Sequence, residues 1–266
     1  MVCPMCDNAT TDDTVSFGFE DVTREEKVDR VKGVFRSVAS RYDVMNDLMS
    51  AGVHRLWKAD TLARLNPQPG EHLIDVAGGT GDIAKAFIER ADKAGKRRGL
   101  SASATAIVCD INDAMLQAGK ARKDMAEYSE RMTWICGDAE KLPFPDKCAD
   151  AVTISFGIRN VANRDNALRE FRRVLKPGGR LAVLEFSHMT APMLQKAYDA
   201  YSFAVIPPMG AMVAGDRDSY QYLIESIRRF PKQDVFAQEI EAAGFSQVGV
   251  NNFSGGIAAL HTGWAL

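Results

Sequence analysis

The sequence of 266 residues has no long hydrophobic run and no strong excess of either charge. No stretch approaches the ~20 apolar residues that a transmembrane helix needs. Residues 1–20 also lack the apolar core of a secretory signal peptide, and Asp7, Asp12 and Asp13 argue against a mitochondrial transit peptide. The formal net charge of −2 provides no basic field that would attract nucleic acid. We therefore expect a cytoplasmic protein without a nucleic-acid partner.

Cysteine is also scarce, and its spacing provides no complete metal site. Cys3 and Cys6 form a C-x-x-C pair in a polar N-terminal stretch, but a zinc site needs a second ligand pair and none follows at a suitable spacing. The other three cysteines, Cys109, Cys136 and Cys148, lie in or near predicted strands and are interpreted as small buried hydrophobic side chains. This odd, scattered set is typical of a reducing compartment, and we expect no metal.

A glycine-rich turn after an apolar run is the central feature of the sequence. The run 73–76 is typical of a fully buried parallel strand, and Gly78, Gly79 and Gly81 follow it. Glycine lets the backbone turn tightly and lets a ligand approach it closely. A helix is predicted over 82–94. Strand, turn and helix form the first half of a nucleotide-binding crossover, whose ligand lies beyond the carboxyl end of the strand.

Strands and helices alternate along the rest of the chain, which requires a doubly wound, mostly parallel sheet. The later strands are predicted at 105–110, 132–136, 151–155, 180–186, 245–250 and 257–261, and the last two are hairpin-like. Helices are predicted at about 24–38, 54–65, 112–127, 165–175, 192–205, 219–229 and 234–243. The sequence thus predicts a Rossmann-like α/β fold of seven strands, with helices on both faces and extra N- and C-terminal helices.

The glycine turn leaves two nucleotide classes open. Residues 79–84 satisfy the G-x-G-x-x-G/A pattern, so a dinucleotide is allowed. Two details favour S-adenosyl-L-methionine. Asp75 lies inside the end of the strand, where a carboxylate can accept from an ammonium group. Residues 75–81 resemble the acidic-x-Gly-x-Gly-x-Gly loop of class I methyltransferases, although Ala77 replaces the first glycine. Seven strands also match the methyltransferase sheet better than the six-stranded dinucleotide fold.

Other strand ends carry polar residues that could contact a nucleoside or its reaction partner. Asp110 ends the second strand, where a carboxylate accepts from the ribose hydroxyls in either nucleotide class. Asp138 follows the third strand and can accept from an adenine amino group. Arg159 follows the fourth strand, at the position that faces a transferred methyl group. Its guanidinium could hold an oxyanion there, or it could pair with a carboxylate at the surface.

Longer segments carry a more specific pattern. The most diagnostic are 42–47 and 155–160, and the others are 17–19, 34–41, 54–58, 77–82, 142–146, 174–180, 197–203, 218–220 and 259–261. Together they resemble the ubiquinone/menaquinone C-methyltransferase family (UbiE type) from about residue 17 to the end of the chain. The Cys3/Cys6 pair and the long connection 96–104 depart from the pattern of that family.

The resemblance implies that a methyl group passes from S-adenosyl-L-methionine to a ring carbon of a polyprenylated quinol. The quinol would be 2-methoxy-6-polyprenyl-1,4-benzoquinol, demethylmenaquinol or both. The residues implied for the cofactor are Gly78, Thr80, Asp110, Asp138, Ala139 and Ser155. Arg159 is implied beside the substrate, where it would favour the phenolate or position a water. Tyr42 is a second candidate, and residues 45–46 would close over the methionine end.

The resemblance also divides the chain and suggests its surroundings. We expect a flexible tail at 1–19 and a single domain at 20–266. Within that domain, 20–70 would form N-terminal helices, 71–187 the cofactor-binding core, and 188–266 the substrate-side helices and last two strands. A prenyl tail implies collection of the quinol from a membrane, which leaves open a peripheral contact with its inner face.

Three questions stay open at this point. Residues 204–214 are apolar and Met-rich, so they could form a lipid-facing lid or equally a buried segment. The chain could instead be an NAD(P)-dependent reductase, although no Tyr-x-x-x-Lys is suitably placed after the fourth strand. It could also be a non-catalytic scaffold of a quinone-synthesis assembly. The sequence predicts neither the oligomeric state nor the preferred quinol.

Overall fold

A computed structural model describes residues 14–38, 50, 52–190, 208 and 217–266. Several sequence predictions lie outside these residues. They are Tyr42, the segment 45–46, the helix at 192–205 and all of the segment 204–214 except residue 208. None of the helices in the described ranges is long and apolar enough to cross a membrane.

A seven-stranded sheet forms the centre of the fold. Its strands are β3 (His72–Val76), β4 (Thr105–Asp110), β5 (Met132–Cys136), β6 (Ala149–Ser155), β7 (Leu175–Phe186), β8 (Ser246–Phe253) and β9 (Ala258–Ala265). They lie in the order β5-β4-β3-β6-β7-β9-β8. The first five strands in this order are parallel, and β9 runs antiparallel to both of its neighbours. The predicted sheet and its final hairpin are therefore confirmed.

Helices pack on both faces of this sheet. Their bounds are α1 (Arg24–Val38), α2 (His54–Leu65), α3 (Asp82–Arg98), α4 (Asp113–Lys120), α5 (Arg164–Val174), α6 (Arg217–Arg229) and α7 (Gln233–Ala242). Alternate residues of β3 point to opposite faces, as the pleat of a strand requires. Leu73 joins a cluster with Phe87 of α3, whereas Ile74 joins one with Phe171 of α5 and Phe236 of α7. The continuous apolar run of β3 is explained by burial on both sides.

The N-terminal part differs from the expected tail. Residues 14–19 form a turn and the strand β1 (Thr14–Phe17), which pairs antiparallel with β2 (Glu20–Thr23). The Phe17 ring stacks on Tyr222 of α6 at 4.1 Å between centroids. The polar composition of this segment did not predict the hairpin, because the hairpin is stabilised by contact with a helix that is distant in the sequence. Thr23 caps the start of α1, since the Glu26 N–H donates to Thr23 Oγ1 at 3.2 Å.

Two helix predictions had wrong boundaries. Lys96 to Arg98 were placed in a loop, but α3 continues through Arg98 and ends at Gly99, whose φ is 68°. Basic side chains in a last helical turn interact favourably with the helix dipole, which explains the longer helix. The single helix predicted over 112–127 is interrupted, because α4 ends at Lys120 and a 3₁₀ segment follows at Lys123–Tyr128.

One cysteine prediction was also wrong. Cys109 is buried, but Cys148 is only half-buried and Cys136 is exposed. Cys136 ends β5, which lies at the edge of the sheet, so no neighbouring strand covers that side.

Candidate active site

A cavity lies beyond the carboxyl ends of β3, β4, β5 and β6. The chain order reverses between β3 and β6, and such a switch point opens a crevice in parallel sheets. All six residues that the sequence suggested for a cofactor line this cavity: Gly78, Thr80, Asp110, Asp138, Ala139 and Ser155. Val28, Val31 and Lys32 of α1 form part of its wall. The sheet and the N-terminal helix therefore line one cavity.

The turn between β3 and α3 is shaped by close packing. A Cβ atom on Gly78 would lie 2.8 Å from Val108 Cγ1 and 2.9 Å from Asp75 Oδ2, so a larger residue does not fit. Ala77 has a φ of 48°, a left-handed conformation that most residues other than glycine avoid. Ala77 therefore adopts the backbone conformation that the usual glycine of this loop would take easily, and the turn retains its shape despite the substitution.

Asp110 fixes the glycine turn and faces the cavity. Its Oδ2 accepts a hydrogen bond from the Gly79 N–H at 2.9 Å, and its Oδ1 accepts from the Asn112 N–H at 2.8 Å. Burial raises the pKa of Asp110 to about 6, although these backbone hydrogen bonds oppose the rise. Each carboxylate oxygen can accept more than one hydrogen bond, so both remain able to bind a ligand hydroxyl.

Asp75 is a buried carboxylate with one free oxygen. Its Oδ1 accepts from Thr153 Oγ1 at 2.6 Å, whereas Oδ2 has no partner among the described residues. Burial is the main reason that the pKa of Asp75 rises to about 7, while Thr153 and Lys58 oppose this rise. A buried, unpaired carboxylate oxygen is costly unless a ligand donates to it, so this atom is suited to an ammonium group.

Asp138 and Ser155 add two more polar groups to the wall. Asp138 lies exposed after β5, and its Oδ1 accepts from the Glu140 N–H at 2.9 Å. Ser155 ends β6, and its buried hydroxyl has no partner in the part of the chain that the structure describes. The Asp138 carboxylate can therefore accept hydrogen bonds from a ligand, and the Ser155 hydroxyl can donate one at a separate point of the cavity.

Arg159 does not line the cavity, in contrast to the sequence expectation. Its side chain has 0% exposure, and its Nη1 donates to Glu185 Oε1 at 2.6 Å and to the Phe156 carbonyl at 2.6 Å. Burial raises the pKa of Glu185, and the Arg159 guanidinium opposes that rise. The partner is therefore a carboxylate in the core and not one at the surface. This geometry makes Arg159 a positioning residue for the turn after β6.

Sequence reasoning missed several residues around the cavity. Lys27 of α1 donates to the Val161 carbonyl at 3.1 Å, and burial lowers its pKa to about 8. Lys58 and Arg122 both bind Asp82 at the start of α3, at 3.4 and 2.6 Å. Glu185 could have been found from the sequence, because it is the one acidic residue in the otherwise apolar stretch 181–186. No comparable signal marks Lys27, because its contact depends on how α1 packs.

The fold and the cavity define a class I methyltransferase. A seven-stranded sheet ends in an antiparallel hairpin, and carboxylates at the ends of β3 and β4 and just after β5 surround the glycine turn. Residues 20–265 match the ubiE/COQ5 methyltransferase family. The chain belongs to this family. No group of three or more His, Cys, Asp or Glu side chains suited to a metal occurs among the described residues.

Named relatives are similar to this chain along almost their entire lengths. The ubiquinone/menaquinone biosynthesis C-methyltransferase UbiE of Caulobacter vibrioides (strain NA1000 / CB15N) is 59% identical over 253 residues, which cover 95% of this chain and 98% of the relative. The protein of the same name from Paracoccus denitrificans (strain Pd 1222) is 56% identical over 250 residues, covering 94% and 96%.

A solved structure supports the same fold. The crystal structure of a SAM dependent methyltransferase from Aquifex aeolicus matches this chain with a TM-score of 0.57. The match covers 84% of this chain and 97% of the other. At 15% sequence identity, this likeness concerns the fold alone.

Proposed function

We propose that the protein transfers a methyl group from S-adenosyl-L-methionine to a ring carbon of a polyprenylated quinol in ubiquinone or menaquinone biosynthesis. The observation that carries the proposal is 59% identity, over 95% of the chain, to a relative named as a C-methyltransferase of this biosynthesis. The quinol would be 2-methoxy-6-polyprenyl-1,4-benzoquinol, demethylmenaquinol or both.

The cavity suits the parts of this cofactor. Asp110 would accept from the ribose hydroxyls, and Asp138 would accept from the adenine amino group beside Ala139. The unpaired Oδ2 of Asp75 would accept from the ammonium of the methionine part. Gly78 lets the cofactor approach the backbone closely, while Thr80 and Ser155 line the same wall. When bound, the cofactor supplies a methyl group activated by a sulfonium.

The residues of the chain would contribute alignment and an environment that favours the phenolate. A ring carbon ortho to a phenolate is electron-rich, so the site needs to align it with the methyl group and exclude water. The end of β6 is the part of the wall where the ring would lie. Arg159 would act there through the turn that it holds, and Tyr42 remains a candidate from the resemblance, outside the described residues.

The proposed function also suggests where the protein works in the cell and how its chain is divided into domains. The prenyl tail of the substrate favours a cytoplasmic protein that contacts the inner face of the membrane peripherally. Residues 20–266 would form a single domain, because one sheet joins strands from His72 to Ala265. The sequence and fold give no reason to include nucleic acid among its partners.

The direct test is the mass of the product after incubation with S-adenosyl-L-methionine and each reduced quinone type. We expect the quinol to gain one methyl group in place of a ring hydrogen, and the product to reoxidise to a quinone, because both ring hydroxyls stay free. An O-methylated product would resist reoxidation and would contradict the proposal. Calorimetry with S-adenosylhomocysteine and with NADH separates the methyltransferase from a reductase, and failure to bind S-adenosylhomocysteine would favour a scaffold.

Cofactor binding should depend on pH. Burial raises the pKa of Asp110 to about 6 and that of Asp75 to about 7, and both groups accept more strongly from the ligand when they are ionised. Raised carboxyl pKa values favour the protonated form in the free protein, so affinity should be low in acid and should increase as these groups ionise. Calorimetry with S-adenosylhomocysteine should show a gain of up to about a hundredfold per pH unit below pH 6, where both groups have to lose a proton, and up to about tenfold per pH unit between pH 6 and 7.

The matched control for the pH experiment is the Asp110→Asn variant, which has no charge to lose at that position. Its affinity should be lower than that of the wild-type protein above pH 6, where Asp110 is ionised. Below pH 7 its affinity should change by at most about tenfold per pH unit, because only Asp75 ionises. An affinity for the wild-type protein that stays constant over this range would contradict the assigned contacts of both carboxylates.

A further inference from the structure

An asparagine in the cavity wall has one half of its amide fixed and the other half without a partner. Asn160 ends a 3₁₀ turn after β6 and lines the cavity. Its Oδ1 accepts a hydrogen bond from the Tyr222 hydroxyl at 2.9 Å. Its Nδ2 is buried and has no hydrogen-bond partner among the described residues. A buried donor of this kind is costly unless a ligand supplies the acceptor.

The hydroxyl of Tyr222 determines which way the amide faces. Tyr222 is 5% exposed, and burial raises its pKa well above the usual range, so it keeps its proton at working pH. A protonated hydroxyl donates to the amide oxygen, which can only accept. The opposite orientation of the amide would leave the hydroxyl proton without this acceptor. The Nδ2 group of Asn160 is therefore held as the free donor.

Both sides of this arrangement are rigidly supported. The Tyr222 ring stacks on Phe17 with an interplanar angle of 16°. On the other side, the Asn160 N–H donates to the Gly157 carbonyl at 3.0 Å, within the turn that the Arg159–Glu185 ion pair holds. A donor that is fixed before the ligand arrives loses little freedom when it binds.

We propose that Asn160 Nδ2 donates a hydrogen bond to the ring oxygen next to the carbon that is methylated, and that Tyr222 is the positioning residue for this donor. The inference rests on the proposed function. The donor is assigned to the quinol because of where it lies. Asn160 comes just after β6, whereas the nucleoside acceptors lie at the ends of β3 and β4 and just after β5. A hydrogen bond to an ionised oxygen is stronger than one to a neutral hydroxyl, so this donor favours the phenolate.

The hydrogen bond from Asn160 would act in a methyl transfer that consists of three steps. The phenol first loses its proton to solvent water, and the electron pair of the phenolate makes the ortho carbon nucleophilic. The carbon–carbon bond then forms while the bond between sulfur and methyl breaks. The ring hydrogen leaves as a proton to water, and its electron pair restores the aromatic ring. Asn160 acts by favouring ionisation of the phenol, so that more of the bound quinol carries the electron-rich ortho carbon.

The test combines turnover with a binding probe. Asn160→Ala should lower kcat with the quinol by about 10²-fold, as the loss of one oxyanion donor does elsewhere, and leave the affinity for S-adenosylhomocysteine unchanged. The probe is 3-prenyl-4-nitrophenol, which keeps the hydroxyl next to the free ring carbon and whose phenolate absorbs visible light, bound in the presence of S-adenosylhomocysteine. The pKa of the bound probe should rise by about one to two units in Asn160→Ala. Tyr222→Phe should shift it in the same direction by a smaller amount.

Matched controls separate this role from general damage. Asn163→Ala removes an asparagine that caps α5, and Tyr128→Phe removes a hydroxyl that donates to Glu89. Neither should change turnover or the pKa of the probe. An unchanged pKa and kcat in folded Asn160→Ala, or in Tyr222→Phe if the first variant does not fold, would overturn the inference. Absence of quinol methylation by the wild-type protein would instead refute the proposed function, and the probe would still decide whether the hydrogen bond exists.

Discussion

Replacing Asp110 by alanine is expected to weaken the binding of S-adenosylhomocysteine by about 10²- to 10⁴-fold. The carboxylate faces the cavity at the end of β4 and would accept from two ribose hydroxyls. Hydrogen bonds to a charged group contribute about 1.5–3 kcal/mol each, so the loss of two accounts for this range. The substitution also frees the Gly79 N–H, which Asp110 holds at 2.9 Å. Isothermal titration calorimetry measures the effect.

Asp113→Ala is the matched control for this experiment. Asp113 is an exposed residue in the first turn of α4, three positions after Asp110, and it does not line the cavity. Its loss should leave the affinity unchanged. Asp110→Asn should fall between the two, because an amide oxygen can still accept one hydrogen bond. An Asp110→Ala variant that binds as tightly as the Asp113→Ala variant would show that the ribose lies elsewhere.

Replacing Arg159 by alanine is expected to lower the free energy of unfolding by about 3–5 kcal/mol. The guanidinium and the Glu185 carboxylate are 0% and 1% exposed, so loss of the cation leaves a buried charge without compensation. The Phe156 carbonyl also loses its donor. Denaturation in urea, followed by Trp fluorescence, measures the change. Turnover should fall as well, since the same turn places Asn160.

A double variant separates burial of an unpaired charge from a simple loss of packing. Arg159→Met combined with Glu185→Leu should be more stable than either single variant, because neither charge is then left alone. The exposed pair of Arg169 and Asp165 provides the control, and Arg169→Ala should have little effect on stability. If the two single losses simply add in the double variant, the ion pair is not what stabilises this turn.

The sequence predicted the sheet and six residues of the cavity wall because both depend on local patterns. The apolar run of β3 predicts a buried strand, and the glycines after it predict a tight turn, each from a few neighbouring residues. Asp110 and Asp138 could be placed near each other because one ends β4 and the other closely follows β5, and the carboxyl ends of parallel strands meet at one edge of the sheet. Six suggested residues therefore line the same cavity.

The remaining features depend on contacts between distant parts of the chain. Arg159 was expected in the cavity, and the register between β6 and β7 places it against Glu185 instead. The β1–β2 hairpin rests on Tyr222, about two hundred positions away in the sequence, and the same tyrosine orients Asn160. No periodicity or composition within a short window encodes such pairings.

The pairing of β3 with β6 at the centre of the sheet affects how the protein folds while it is being synthesised. Thr153 contacts Asp75 across 78 positions of sequence, so β3 leaves the ribosome long before its second neighbour exists. Until then one of its edges carries unsatisfied backbone groups and can pair wrongly with other chains. Pairings of such long range also slow folding, because a large loop has to close first. We therefore expect nascent chains that end before β6 to be prone to aggregation and to need chaperones.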